Sequence, residues 1–401
     1  MNRRGSRRRA CVVRHSYYPS ELNLKREAEA LRDEGFDVSV ICLRREDEPS
    51  RETVEGVEVY RMPVGHRRGA IPRYLLEYNF FFVLATFRLL MLHVRRRVSV
   101  VQINTMPDYL VFVALLPRLT GARVVLHVHE PMPELFGTLF PGRKYAPLVA
   151  AIRFSERISI AFADRVLTVT EQMKQRLVER GADASKITVI LNVPDTRVIR
   201  ASETDAVVPS SDEAPYILTH GAIEERYGPD VIVRAMALLR EDLPELEFHL
   251  LGAGDYVEEL LALVANLGVS ERVRYLGFVP HATMIAEVSH TVAGIVPMQS
   301  NPYSNLVHTN KMYEYIELGR PVIASRLDSV AAYFGDDAIA YFTPGDPADL
   351  ARRVRETVAD PEAAQRRAAR AREVYAGIRW DHERERYLEV YRGLVPADGP
   401  R

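Results

Sequence analysis

The chain has 401 residues, of which 47% are hydrophobic and 27% charged, and its formal net charge is -1. This composition is that of a soluble globular protein, and the length allows two or three domains with large cores. A net charge near zero provides no general attraction for nucleic acid, so no nucleic-acid partner is expected.

The cysteines and the N-terminal segment indicate a cytoplasmic protein. Cys11 and Cys42 lie in segments that are predicted to form neighbouring buried strands, and neither has metal-ligand or redox spacing. They are expected to be reduced core thiols. The apolar segment that follows the N-terminal arginines, Ala10 to Val13, is too short for a signal-peptide core, so export is not expected.

Short β-branched segments alternate with helical patterns along the chain, which is typical of βαβ units and parallel sheets. The opening helix is expected between a cap at Ser20 and a stop at Gly35. In the first half, the predicted strands are Ala10 to Arg14, Asp37 to Leu43, Val57 to Arg61, Ser99 to Ile103, Arg123 to His127, Arg165 to Thr168 and Ile187 to Leu191.

A basic and apolar segment, Arg67 to Arg97, separates two of these strands. Its hydrophobic part, Phe80 to Val94, is interrupted by Arg88 and is shorter than the roughly 20 residues that a bilayer-spanning helix needs. Two interpretations stay open. Either the segment makes peripheral contact with anionic lipid on the inner face of a membrane, or its aromatic residues are buried and its arginines are solvated.

The second half repeats the alternation after a polar segment. Residues 196–215 lack periodicity and are predicted to be a linker between a first domain, residues 1–195, and a second, residues 216–378. Two Rossmann-like halves are the simplest interpretation. The predicted strands of the second half are Tyr216 to Thr219, Glu247 to Leu251, Val273 to Leu276, Val292 to Val296, Pro321 to Ala324 and Ala338 to Phe342.

Two helix starts in the second half are candidate anion sites. Asn310 is predicted to cap a helix from Lys311 to Leu318, in which Lys311 and Glu314 share a face. A lysine in the first turn opposes the helix dipole unless a phosphate binds there, so this pattern suits a sugar nucleotide; the alternative is a solvated lysine. Arg226 precedes another predicted helix start, and two such cations can hold a diphosphate without a metal ion.

Other turns after strands carry weaker signals. Gly252 and Gly254 would let the backbone approach a base or a phosphate closely, although this spacing is common. Because alternate side chains of a strand point to the same side, His127 and His129 are predicted to share one strand face. Either histidine can instead be structural, and metal ligation by the pair lacks a third ligand of suggestive spacing.

Seven segments together resemble the family 4 glycosyltransferases, which are retaining, sugar-nucleotide-dependent enzymes. The segments are Tyr17-Tyr18-Pro19, Arg26 to Leu31, His129 to Leu135, His220-Gly221, Glu225 to Gly228, Leu276 to Pro280 and Lys311 to Tyr315. The resemblance implies an α/β protein with the GT-B fold, in which two Rossmann-like parallel-sheet domains face a cleft. It also implies that residues 379–401 form a helix that crosses back to the first domain.

The activity implied by the resemblance is retaining, hexosyltransferase-type transfer from a UDP-, GDP- or dTDP-linked sugar to an acceptor hydroxyl. No cofactor is expected, and no metal ion either, because the sequence has two cationic helix starts and no convincing carboxylate metal site. In similar enzymes the second glutamate of an E-x7-E motif binds the nucleotide ribose, and Glu314 occupies that position. The expected catalytic residues are His129, Glu130, Arg226 and Lys311. The expected donor-binding residues are Gly221, Arg226, Gly252, Gly254, Val279, His308, Thr309, Asn310, Lys311 and Glu314.

The chain also departs from the family pattern. Leu306 stands where the first glutamate of E-x7-E would be, and backbone groups of residues 308–310 are the expected replacement. The usual phosphate-binding pair reads Ala222 and Tyr227, which leaves Arg226 and Lys311 as the nearest substitutes. A GT-B sugar-nucleotide epimerase and a catalytically silent nucleotide-binding protein therefore stay open as alternatives.

Overall fold

The computed structural model describes residues 8–65, 71–197, 199 and 214–396, except for the side chains of residues 71, 72, 74 and 75. The chain divides into two compact units. Unit 1 comprises Met1–Asn192 and Asp381–Arg401, and unit 2 comprises Val193–Trp380. Most of the predicted linker, and Arg67 and Arg68 of the basic segment, lie outside the described residues.

Unit 1 contains an eight-stranded sheet with the order β3-β4-β2-β1-β5-β6-β7-β8, parallel except for the β3/β4 pair. Its strands are β1 Arg9–Tyr17, β2 Asp37–Leu43, β3 Arg51–Val54, β4 Val57–Met62, β5 Val100–Asn104, β6 Arg123–Val128, β7 Arg165–Thr168 and β8 Ile187–Val189. Its helices are α1 Leu22–Asp33, α2 Ile71–Arg96, α3 Leu115–Leu119, α4 Met132–Leu139, α5 Ala146–Phe162 and α6 Glu171–Glu179.

Unit 2 contains a six-stranded parallel sheet with the order β11-β10-β9-β12-β13-β14. Its strands are β9 Tyr216–Ala222, β10 Glu247–Ala253, β11 Val273–Gly277, β12 Ala293–Val296, β13 Val322–Ser325 and β14 Ala340–Phe342. Its helices are α7 Pro229–Leu238, α8 Val257–Asn266, α9 His281–His290, α10 Asn310–Glu317, α11 Asp328–Ala331, α12 Pro347–Ala359 and α13 Pro361–Ala376. A last helix, α14, spans Trp380–Leu394.

Every strand that the sequence predicts is present, because continuous apolar segments suit parallel strands that are covered on both faces. Strand β3 was not predicted, because its sequence Arg-Glu-Thr-Val has no continuous apolar segment. Cys11 and Cys42 are buried free thiols in the neighbouring strands β1 and β2, as predicted. Burial raises the pKa of both thiols to about 12.

The start of α1 differs from the prediction. Its cap is Glu21 instead of Ser20, and the Glu21 carboxylate accepts hydrogen bonds from the backbone N–H groups of Asn23 and Leu24. The Glu21 carboxylate also lies 3.0 Å from the Arg14 guanidinium, a contact that the shorter side chain of a serine could not make. This pair fixes the first turn of α1 against β1.

Helix α2 combines a buried face with an exposed apolar face. Phe81, Ala85 and Leu89 are fully buried, whereas Phe80 and Phe87 are more than half exposed. By length and composition alone, the helical segment Leu76–Arg96 could cross a bilayer. This apolar segment is longer than the one predicted from the sequence, Phe80 to Val94. Because one face packs on β1, β2 and β4, the helix lies on unit 1 in this structure.

Helix α14 packs within unit 1. Tyr387 and Tyr391 are fully buried, and both hydroxyls donate hydrogen bonds to Oε1 of Gln102 in β5. The Glu383 carboxylate accepts a hydrogen bond of 2.7 Å from the backbone N–H of Leu191. These contacts fix the C-terminal helix to the first sheet.

Candidate active site

Helix α10 begins at Asn310, one residue earlier than predicted, and its cap position is Thr309. The Thr309 side chain makes no capping hydrogen bond. Oδ1 of Asn310 is buried and has no hydrogen-bond partner among the described residues. Asn310 is therefore the first helical residue instead of the cap, and the start of α10 lacks a side-chain cap.

Lys311 lies close to the end of β9. Its Nζ is 3.9 Å from the position that a Cβ on Gly221 would occupy. Burial lowers the pKa of Lys311 to about 8, against the opposing effect of Glu314. A buried ammonium at an uncapped helix start is a favourable site for a bound anion.

Glu314 lies on the same face of α10, as predicted. Burial raises its pKa to about 7, and the nearby Lys311 offsets only part of this rise. Oε2 of Glu314 is buried without an aligned hydrogen bond among the described residues. A carboxylate in this state gains free energy when a ligand supplies hydroxyl donors.

Arg226 converges with Lys311 on one aromatic ring. The Arg226 guanidinium lies 4.9 Å from the ring centroid of Tyr227, and Nζ of Lys311 lies 5.7 Å from it. Arg226 pairs with Glu224 at 2.8 Å, but its Nε has no hydrogen bond within the described structure. The two predicted cations therefore lie in one cluster, with a donor still unused.

Gly228 explains how the chain enters α7 beside this cluster. Its φ is +66°, and a Cβ there would lie 2.2 Å from the carbonyl oxygen of Pro297. Only glycine fits both constraints. A small pocket opens between these segments, and it is lined by Thr219, His220, Ala222, Ile223, Tyr227, Pro229, Leu250, Pro297 and Lys311.

Gly252 and Gly254 serve the backbone packing of β9 and β10. A Cβ on Gly252 would lie 1.8 Å from the carbonyl oxygen of Gly221, and one on Gly254 would lie 1.9 Å from that of Ile223. This close approach requires glycine at both positions, whether or not a ligand binds beside them. Val279 is half-buried in the loop after β11.

The His308 ring is engaged within the fold. Its Nδ1 bonds the Tyr313 hydroxyl, and its Nε2 lies 2.7 Å from the carbonyl oxygen of Ser329. Burial lowers the pKa of His308 to about 4. Leu306 is buried as well, so the side chains of this segment support the turn before α10.

His220, at the end of β9, was not singled out as a site residue by the sequence. Its Nε2 lies 3.1 Å from Oε2 of Glu314. Burial, helped by the charges of Lys311 and His281, lowers the pKa of His220 to about 3. The available signal was its position beside Gly221 at a strand end, where ligands of parallel sheets bind.

A second polar cluster lies at the end of β6 in unit 1. The rings of His127 and His129 stack at 3.9 Å, which confirms that the two side chains share a face. Glu27, from α1, lies 2.9 Å from Nδ1 of His127 and 3.8 Å from Nε2 of His129. Arg14 approaches the same His129 nitrogen at 3.3 Å.

Glu27 was also missed by the sequence reasoning. Leu24, Ala28 and Leu31 are buried at helical spacing, so Glu27 falls on the inner face of α1. Burial by itself would raise the pKa of Glu27, but His127, Arg14 and the Asn104 amide together lower it to about 2. The helical periodicity was the signal that could have found it.

His129 is buried, and its backbone N–H donates to the Thr105 hydroxyl at 3.1 Å. Burial, together with the positive charges of His127, Arg14 and Arg26, lowers the pKa of His129 well below its usual value. Glu130 follows as a half-buried residue before α4. The groups that surround the His129 ring thus come from β1, α1 and β6.

Glu27, His127 and His129 place three potential metal-ligand atoms within 4.8 Å of one another. Glu27 is the third potential ligand of this group, and the spacing of residues in the sequence did not indicate it. Two histidines and a glutamate are a known zinc ligand set. However, Arg14 and Arg26 add positive charge beside the cluster, which opposes a divalent cation.

Comparisons with known proteins find glycosyltransferase families along most of the chain. The family described as "Glycosyl transferase 4-like domain" matches residues 23–192, and "Glycosyl transferases group 1" matches residues 201–374. D-inositol 3-phosphate glycosyltransferase 1 of Catenulispora acidiphila is 26% identical over 366 residues, which are 86% of this chain and 83% of that protein. A D-inositol 3-phosphate glycosyltransferase of Nocardia farcinica is 29% identical over 61% of this chain and 56% of its own length.

Solved structures share the fold at lower identity. Sucrose-phosphate synthase from Thermosynechococcus elongatus has a TM-score of 0.78 and 18% identity, with 98% of this chain and 100% of that chain covered. Anabaena HepE in complex with UDP has a TM-score of 0.69 and 15% identity, with 96% and 100% covered.

Proposed function

Because the chain belongs to the family 4 glycosyltransferases and has their GT-B fold, we propose that it moves a hexose from a nucleotide-diphosphate donor to an acceptor hydroxyl with retention of configuration. The observation that carries this proposal is the cluster at the start of α10. There, two cations surround an uncapped helix start, together with several buried polar atoms that have no hydrogen bond within the described part of the chain.

The roles follow from the chemistry of each group. Arg226 and Lys311 bind the diphosphate and stabilise the charge that develops on it as the glycosidic bond breaks. Glu314 binds the ribose hydroxyls, and the amides at the start of α10, from Thr309 to Lys311, bind the donor.

The remaining assignments concern the base and the acceptor. Gly252, Gly254 and Val279 border the proposed base pocket. His129 and Glu130 act on the sugar or on the acceptor hydroxyl, with His129 neutral because burial and nearby cations lower its pKa. The physiological product is proposed to be a cell-envelope polysaccharide, a glycolipid or a natural-product glycoside.

This proposal needs no metal ion, because Arg226 and Lys311 neutralise the charge of the leaving diphosphate, which a metal ion would otherwise do. A thermal-shift screen of UDP-, GDP- and dTDP-sugars identifies the donor. Transfer from that donor is then measured with EDTA, using alcohol acceptors that include inositol 3-phosphate, a compound in the names of two relatives. We expect activity to survive chelation, whereas loss with EDTA and recovery with Mg²⁺ or Mn²⁺ would contradict the assignment.

The same assay separates the alternatives. An epimerase would change the donor sugar without an acceptor, and a silent binding protein would bind the nucleotide without turnover. Nuclear magnetic resonance of the product reports the anomeric configuration, and inversion would contradict the proposed retention.

We also propose that the cytoplasmic enzyme contacts a membrane through unit 1. One face of α2 carries apolar side chains every three or four residues that are 42% to 73% exposed: Leu76, Phe80, Val83, Phe87, Met91 and Val94. Exposed leucines of the adjacent α3 extend this face, and Arg95 and Arg97 at the end of α2 are exposed. An apolar stripe beside cations suits the surface of an anionic bilayer.

Flotation with phosphatidylcholine vesicles, with and without phosphatidylglycerol, tests this contact. Arg96 is excluded from the variants because it pairs with Glu58 at 2.7 Å. We expect Phe80→Ser with Phe87→Ser, and Arg95→Ser with Arg97→Asn, to reduce flotation, while the exposed pair Arg366→Ser with Arg370→Ser on α13 has no effect. If flotation of the protein does not depend on phosphatidylglycerol, the contact with an anionic membrane is contradicted and a soluble acceptor is favoured.

A further inference from the structure

His220 lies against the carboxylate that is proposed to bind the ribose. Its Nε2 is 3.1 Å from Oε2 of Glu314, and the two side chains are 8% and 14% exposed. Both atoms are buried, and neither has an aligned hydrogen bond among the described residues. Leaving a buried polar atom unpaired is costly, so pairing between these two is favoured.

The surroundings keep the imidazole neutral. Its pKa is about 3, first because of burial and then because of the positive charges of Lys311 and His281. The Tyr315 ring packs edge-on against it at 5.3 Å, and the Tyr315 hydroxyl donates to the carbonyl oxygen of Leu218. A neutral imidazole can donate one N–H to a carboxylate without adding charge to the site.

Oε2 of Glu314 is buried and faces His220, and the side chain as a whole is 14% exposed. With Oε2 directed at the histidine, the other oxygen, Oε1, is the one assigned to a ligand. The terminal torsion of a glutamate is broad, so a small rotation aligns Oε2 with the imidazole N–H. Such a contact would tighten when a nucleotide holds the other oxygen.

We propose that His220 is a positioning residue of the nucleotide site: its Nε2–H holds Oε2 of Glu314, so that Oε1 faces the ribose hydroxyls. This inference rests on the proposed nucleotide site. It assigns to His220 a function that acts through Glu314 and does not require contact between the histidine and the nucleotide.

A double-mutant cycle tests the proposal, with UDP, GDP and dTDP titrated by calorimetry and the tightest of the three used throughout. His220→Phe keeps a ring but removes the donor, and His220→Gln keeps an N–H of similar reach. We expect His220→Phe to weaken binding about tenfold, as for one hydrogen bond to a charged group, and His220→Gln to stay near wild type. In a Glu314→Ala background, His220→Phe should have almost no further effect.

The outcomes are distinguishable. Wild-type affinity in His220→Phe, or a loss that adds fully to that of Glu314→Ala, would overturn the role of His220. Wild-type protein that binds none of the three diphosphates would instead overturn the nucleotide site itself. If His220→Phe does not fold, His220→Asn, whose amide is too short to reach Oε2, replaces it and should weaken binding to the same extent.

Discussion

Each unit buries a glutamate beside a histidine, but the two carboxylates are in opposite electrostatic states. Glu27 accepts hydrogen bonds of 2.7 Å from both the Gln102 and Asn104 amides, and its pKa falls to about 2 although burial opposes ionisation. Among the described residues Glu314 accepts no such amide hydrogen bonds and has only His220 within reach, and burial raises its pKa to about 7. Two amides hold Oε2 of Glu27, whereas its Oε1, like Oε2 of Glu314, lies near a histidine nitrogen without an aligned hydrogen bond among the described residues.

The largest expected effect follows from removing the Glu27 carboxylate, which accepts two buried amide hydrogen bonds. Glu27→Ala leaves the two amides and His127 without their acceptor, so we expect the free energy of unfolding to fall by about 3 to 5 kcal/mol at pH 7. Urea denaturation followed by circular dichroism measures this change. A loss below about 1 kcal/mol would mean that the Glu27 network does not stabilise unit 1.

The pH dependence of the Glu27 effect has a definite sign. Because the pKa of Glu27 is lowered on folding from 4.5 to about 2, its contribution is complete above pH 4.5 and is lost as the pH falls towards 2. The stability difference between wild type and Glu27→Gln should therefore shrink over that range. A difference that stays constant with pH would contradict the assigned charge state.

Glu314→Gln should act in the opposite direction on stability. Folding raises the pKa of Glu314 from 4.5 to about 7, so its ionisation opposes folding increasingly as the pH rises through this window. We expect the variant to be more stable than wild type by up to about 3 kcal/mol at pH 8 and equal to it at pH 4. Denaturation at both pH values checks this, and a destabilised variant at pH 8 would show that the carboxylate is already satisfied.

A smaller effect concerns nucleotide affinity as a function of pH. Binding of a diphosphate favours charged Lys311, whose pKa is about 8, and binding of ribose hydroxyls favours ionised Glu314, whose pKa is about 7. Affinity should therefore be highest between these values and fall a few-fold on either side. Calorimetric titration from pH 6 to pH 9 measures the profile, and a flat profile would exclude both groups from the site.

The sequence predicted the parallel sheets well because their strands are continuous apolar segments with clear turns. It also placed Lys311 and Glu314 on one helix face, which depends only on helical spacing. It could not reveal that His220 meets Glu314, because that contact joins a strand end to a helix 94 residues later in the numbering. Such contacts depend on packing between elements, which local patterns do not encode.

The remaining differences have similar causes. Gly252 and Gly254 suggested a close backbone approach to a ligand, and the structure shows a close approach to the carbonyl groups of Gly221 and Ile223, which the sequence could not reveal. Asn310 suggested a cap, but the helix begins one residue earlier. The helical pattern of α1 places Glu27 on the buried face, but its contact with the histidines of β6 depends on packing between elements.

The central claim is that the α10 cluster binds the nucleotide part of the donor, and titration of Glu314→Ala with UDP, GDP and dTDP in EDTA tests it most directly. The account predicts that wild-type protein binds at least one of these diphosphates and that the variant, folded as judged by thermal unfolding, binds it about 1 to 3 kcal/mol more weakly through lost ribose hydrogen bonds. An unchanged dissociation constant in the folded variant would remove Glu314 from the site and contradict the account.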